Sequence, residues 1–208
     1  MKVTDITRQK HNEERVSVFV DDKYAFSLDE VDAVKLKIKI GAELTQKDIE
    51  RCCLESNLSK AMKKALNILA VKPMTCRELE KKLFEKGYDE AVTSVAIAEL
   101  EDMGYINDYD YACMYIEYAA QKCHGEKKIR FELAHRGVDA DIIEDAICDK
   151  FTTGADEMAE MIYAKYGDLD MSDMKTKQRV TRFFASRGFG FGDINDALRR
   201  YEQLRNEE

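Results

Sequence analysis

The chain has 208 residues, 45% of them apolar, a single proline and a formal net charge of −8. Such a composition supports a buried core but excludes a simple electrostatic nucleic-acid binder, because the acidic excess is spread along the chain and leaves no basic domain. The start, Met1-Lys2-Val3-Thr4-Asp5, has no apolar signal core, and no run is long enough to span a bilayer, so a cytoplasmic protein with reduced thiols is expected.

Residues 1–56 read as an extension distinct from the rest. Val16 to Val20 and Tyr24 to Ser27 are rich in β-branched and aromatic residues, with Asp21-Asp22-Lys23 as the turn, which predicts a β-hairpin. Val3 to Arg8 offers a third strand. Ser27-Leu28-Asp29-Glu30 has the spacing of a capping box and predicts a short helix to about Leu36. A second helix is expected from Thr45 to about Glu55.

From residue 57 the pattern is helical throughout. Ala61, Ala65, Leu66, Leu69 and Ala70 form a stripe that stops before Pro73. Thr75-Cys76-Arg77-Glu78 opens the next helix as a capping box, Gly87 closes it, and Asp89 starts a third helix that Gly104 ends. Asn107 or Asp108 caps the following helix, Gly125 precedes another, and Asp139 or Asp141 caps the next. The last three helices carry Met158, Met161 and Ile162, then Val180 and Phe184, then Ile194, Ala197, Leu198 and Tyr201.

One unit is written three times. Leu79, Ile129 and Val180 each lie eight residues before a glycine, and Leu83, Leu133 and Phe184 lie four before it. Lys86, Arg136 and Arg187 directly precede Gly87, Gly137 and Gly188, which are 50 and 51 residues apart. This period predicts a mainly α fold of three tandem three-helix repeats, at residues 57–106, 107–152 and 153–208. Such arrays suit long or repeating partners.

No catalytic constellation stands out, and neither a cofactor nor a metal site is expected. The six cysteines contain no C-x-x-C pair, and Cys123-His124 is the one Cys/His neighbour pair. His11, His124 and His135 have no partner acid or nucleophile at a recognisable spacing. Asp108-x-Asp110 and Asp168-x-Asp170 resemble cation-binding pairs, yet capping and solvation account for them better. Gly188-Phe189-Gly190-Phe191-Gly192 lacks the lysine and hydroxyl of a phosphate loop.

Basic residues are the better candidates. Lys175, Lys177, Arg179, Arg182 and Arg187 fall in an acid-free stretch, interleaved with phenylalanines, and Arg179 and Arg182 share a helix face. Lys127, Lys128, Arg130 and Arg136 occupy the matching helix of the middle repeat. Such faces suit phosphates or an acidic protein groove, although Arg136 and Arg187 also suit a helix C-terminus on electrostatic grounds alone.

The stretch Leu100-x-x-x-Gly104-Tyr105-Ile106-Asn107-Asp108-x-x-Tyr111-Ala112 resembles the junction between the first and second units of the RecX family, bacterial regulators of the RecA recombinase. The likeness continues in Gly125-x-x-x-Ile129-x-x-Glu132-Leu133-x-x-x-Gly137-Val138 and in Arg187-Gly188-Phe189. It covers about residues 60–204. The resemblance implies an elongated, curved body that binds in the helical groove of the RecA–single-stranded DNA filament as a monomer. It implies inhibition of RecA recombinase, ATPase and coprotease activities in DNA repair and the SOS response, without catalysis by this chain. The competing reading is a helix-turn-helix-like DNA-binding module that acts independently of RecA. Glu117, Ala119 and Ala120 replace basic residues common in the family, which shifts the expected contacts from DNA toward protein.

Overall fold

The structure, a computed structural model, describes the chain except residues 11, 153, 168–172 and 208 and the side chains of 12, 13, 206 and 207. His11 and the Asp168-x-Asp170 pair therefore lie outside the described residues. Strands β1 (Val3–Gln9), β2 (Asn12–Val20) and β3 (Lys23–Asp29) form one antiparallel sheet in that order. Val20 faces Lys23 across a two-residue turn. Asp21 and Asp22 adopt φ of 49° and 63° there, the left-handed pair that matches strand twist. Val16, Val18, Phe26 and Leu28 point inward and, with Val3, Leu44 and Cys52, form the first core.

Helix α1 (Glu30–Lys35) has Asp29, not Ser27, at its N-cap position, and the Asp29 side chain makes no capping bond. The expected capping box at Ser27 does not form, because Ser27 stays in β3 and its carbonyl and hydroxyl accept from Arg15. Arg15 is only 7% exposed, and its guanidinium lies 2.8 Å from the Asp29 carboxylate and 2.8 Å from the Ser56 hydroxyl. Ser59 and Lys63 hold the other Asp29 oxygen at 2.9 and 3.0 Å. Both buried charges are thus paired and hydrogen-bonded, the condition for tolerating them.

Ser56, Ser59 and Lys63 all lie on α2 (Gln46–Leu69), a single helix opened by the Thr45–Asp48 capping box. The helix expected to end near Glu55 thus runs 14 residues further, to Leu69. Nothing at Asn57 breaks the backbone pattern, and the buried Ser56 ties that point of the helix to the sheet.

The rest of the chain is three-helix repeats. The end of α2 packs with α4 (Glu90–Asp102), with Ala61, Val92 and Ala96 at a shared core, and α3 (Cys76–Glu85), between them in sequence, buries Leu79 and Leu83. Helices α5 (Asp108–Gln121), α6 (Glu126–His135) and α7 (Ala140–Lys150) enclose Ile116, Ile129, Leu133 and Ile143. Helices α8 (Ala155–Tyr166), α9 (Met174–Ser186) and α10 (Phe191–Glu207) enclose Met158, Ile162, Phe184 and Leu198. Gly87, Gly137 and Gly188 have φ of 89°, 88° and 91°, the left-handed closure predicted for them. The chain forms two compact units, one of residues 1–74 and 78–106 and the other of residues 75–77 and 107–208.

Candidate partner-binding surface

Within the second unit, two glycine turns dock on two helix starts in the same way. The Arg187 carbonyl accepts from the Gly125 amide at 2.8 Å, and the Gly188 carbonyl accepts from Lys127 at 3.2 Å. The Arg136 carbonyl accepts from the Thr75 hydroxyl at 2.7 Å. A Cβ at Gly188 would lie 2.5 Å from the Lys128 amide nitrogen, and one at Gly125 would lie 2.5 Å from that of Phe189. These contacts fix α9 against the start of α6 and bring together charges from different repeats.

Asp108 takes part in this construction. It lies at the first position of α5, which Asn107 caps by accepting from Tyr109 and Asp110. The Asp108 carboxylate instead accepts from the Cys76 amide at 2.8 Å, and so caps α3. A cation-binding role for the Asp108-x-Asp110 pair loses one oxygen to that bond. Among the described residues no group of three or more His, Cys, Asp or Glu side chains gathers as metal ligands, and no helix is long and apolar enough to cross a membrane.

The nine basic residues singled out from the sequence fall into two different environments. On α6, Arg130 is held by Glu126 at 2.5 Å and also pairs with Glu144. Lys128 lies 3.9 Å from Glu132, and Arg136 stacks 5.3 Å from the centre of the Tyr115 ring. Lys127 is exposed. Half of this cluster, Lys128 and Arg130, is thus matched by acids of its own repeat, which weakens it as a surface for an anion.

The α9 cluster is built on rings instead. The Arg187 guanidinium lies 4.4 Å from the Phe183 ring centre, and Lys165 of α8 lies 4.3 Å from the same ring. Lys165 also approaches the Tyr166 ring at 5.9 Å, which Arg179 covers at 5.6 Å. Tyr166 and Phe183 meet edge to face at 6.0 Å, and Phe183 meets the buried Phe184 at 5.1 Å. Aromatic faces attract cations through their quadrupole, so the rings hold Arg187, Lys165 and Arg179 in one row anchored to the core. Burial pushes the Tyr166 hydroxyl above its ordinary range, against the opposing charges of Arg179 and Arg187. Lys175, Arg179 and Arg182 are exposed on α9, and Lys177 is half-buried. Asp173, close enough to feel the Arg179 charge, is occupied in capping Lys175 and Thr176.

The row continues past Arg187, which donates to the Lys122 carbonyl at 2.5 Å, at the end of α5. His124 sits beside it with a buried Nδ1 that has no hydrogen-bond partner among the described residues. Burial lowers its pKa, and the charges of Lys128, Arg187 and Lys122 lower it further. Lys122, His124, Lys165 and Tyr166 were not among the sequence candidates. Their only hint was position, at the ends of two helices, since their convergence needs the tertiary fold.

The chain matches four family models in order. These are the Regulatory protein RecX N-terminal domain over residues 1–45 and the first, second and third RecX three-helix domains over 61–100, 107–147 and 155–198. It is 31% identical to the regulatory protein RecX of Bacillus subtilis, over 99% of this chain and 79% of the relative. It is 29% identical to that of Clostridium botulinum strain Alaska E43, over 95% of each. A crystal structure of regulatory protein RecX superposes with a TM-score of 0.74 at 24% identity, covering 94% of this chain and 98% of the other. That of RecX from Lactobacillus salivarius gives 0.60 at 25% identity, over 71% and 97%.

Proposed function

The chain belongs to the RecX family of regulatory proteins, and from that premise we propose that it binds the RecA–single-stranded DNA filament in its helical groove and inhibits RecA. On this reading it restrains the recombinase, ATPase and coprotease activities of RecA in DNA repair and the SOS response, without chemistry of its own. The observation that carries the reading is the cation–aromatic row of Lys165, Arg179 and Arg187 in a chain of net charge −8. Cations preset on ring faces lose less side-chain freedom when they meet an anionic partner. The repeat array supports the same reading, since a repeating body suits a filament with a repeating groove.

The test is the rate of RecA ATP hydrolysis on single-stranded DNA as the chain is titrated in. Loss of hydrolysis is the expected outcome. If it occurs well below one copy per RecA subunit, capping or disassembly is the mode; if only near saturation, groove occupancy is. Undiminished hydrolysis with RecA from the same organism would sink the reading.

A further inference from the structure

The glycine turn of the first repeat has the same construction as the two docked turns, yet nothing in the described chain docks on it. In all three, the glycine amide returns to the carbonyl three residues back, at 2.9, 3.0 and 3.1 Å, and the next amide returns to the carbonyl five back, at 3.3, 3.2 and 3.2 Å. In the second and third repeats the carbonyl before the glycine then accepts from a helix start, Thr75 or Gly125. Around Gly137 and Gly188 a Cβ would collide with Arg77 and Lys128, but at Gly87 it would meet nothing within 4 Å. The Lys86 carbonyl has no hydrogen-bond donor among the described residues, and Lys86 and Gly87 are both exposed. Beside them Phe84 is 41% exposed, where the equivalent residues of the other repeats are Ala134 and Ala185.

We infer that the Phe84–Gly87 turn is a docking element for a partner protein, which presents the first turn of an α-helix to the Lys86 carbonyl and an apolar side chain to Phe84. The occupant follows from the two internal copies of the contact: in each, a helix start with a hydroxyl or glycine N-cap fills this place. A second copy of this chain is a poor occupant. Its starts at Thr75 and Gly125 are already engaged, and those at Thr45 and Gly154 are closed by their own acids, Asp48 and Glu157. The start of α9 lies three residues earlier relative to its glycine, and its first amides are capped by Asp173. Nucleic acid fits no better, because the exposed Lys81 and Lys86 are offset by the exposed Glu85, Asp89 and Glu90 and leave no cationic patch for phosphate. A helix start supplies both the donors and the positive end of a dipole.

With the RecA–single-stranded DNA filament as probe, the inference rests on the proposed function, and the experiment separates the two. The full chain carrying p-benzoylphenylalanine in place of the exposed Glu85 is bound to filament, irradiated and digested. A crosslink to a RecA peptide at the start of a helix is expected. A Phe84→Ser, Lys86→Glu double variant with unchanged helicity should need at least about tenfold more protein for half-saturation, as loss of a buried anchor does. Crosslinks to DNA, to a second copy or to nothing overturn the inference while the unmodified chain still sediments with the filament. So does a double variant that binds undiminished. If the unmodified chain does not sediment with the filament, the regulatory reading fails first and takes this one with it.

Discussion

Gly87 and Gly188 adopt the same left-handed conformation but carry different burdens. Alanine at position 87 meets open space, so it costs only the backbone strain, about 1 kcal/mol. Alanine at 188 adds a collision with the Lys128 backbone at 2.5 Å and should cost about 3 kcal/mol. Urea midpoints of the two variants decide the point, and equal shifts would contradict the docked geometry. The sequence marked all three glycines as helix stops, which they are. It could not distinguish the docked turns from the open one, because close approach depends on residues about 60 positions away. Asp29 is the other residue with a large measurable effect. Burial pushes its carboxyl up, but the Lys63 and Ser59 hydrogen bonds and the Lys63 and Arg15 charges outweigh this, so its pKa is lowered. The stability it supplies is complete above its ordinary value of 3.8 and is lost as pH falls through the lower folded value. Asn at position 29 should cost about 3 kcal/mol near neutral pH by leaving Arg15 buried without its counter-ion, and should flatten the acid limb of a melting-temperature profile.

At the scale of elements, the start of α3 and the junction of α6 with α9 are the most informative. The Asp108 carboxylate caps α3 from the first turn of α5, so Asp108→Ala should uncap a helix 32 residues upstream at a cost of about 1 kcal/mol. Thermal melts of this variant beside Asp110→Ala check it, since Asp110 is exposed and should be nearly silent. Helix periodicity was legible in the repeated unit, where Leu79, Leu83, Ile129, Leu133, Val180 and Phe184 are all buried, and less so in α2, where Ala61 and Ala65 of the expected stripe are buried but Ala70 is exposed. The pairing of caps with helices was less so, because a carboxylate at a helix start in sequence can serve another helix in space. At the α6–α9 junction, burial and the charges of Lys128, Arg187 and Lys122 lower the His124 pKa. The unfolded chain therefore binds its proton more readily than the folded one, and stability should fall as pH drops through the ordinary value of 6.5. In His124→Gln that slope between about pH 7.5 and 5.5 should shrink; an unchanged slope would remove His124 as its source.

At the scale of the molecule, the charge pattern divides what was legible from what was not. The two basic clusters match along the sequence, yet Glu126 and Glu144 hold Arg130 whereas Phe183 and Tyr166 carry Arg187, Lys165 and Arg179. Whether a cation faces an acid or a ring is decided by neighbouring helices, beyond the reach of spacing within one helix. Lys165→Glu with Arg179→Glu should accordingly weaken inhibition of RecA ATP hydrolysis at least about tenfold, with the circular dichroism spectrum unchanged. Arg130→Glu should change it far less. The long helix α2 has a separate consequence for how the first unit opens. Its 24 residues span about 36 Å, with the sheet fastened through Ser56, Ser59 and Lys63 and the first repeat packed through Ala61. Neither partner can detach without exposing a rod that the other still holds. Amide hydrogen exchange along the middle of α2 should thus report one common opening free energy shared by sheet and repeat, with no step at residue 57.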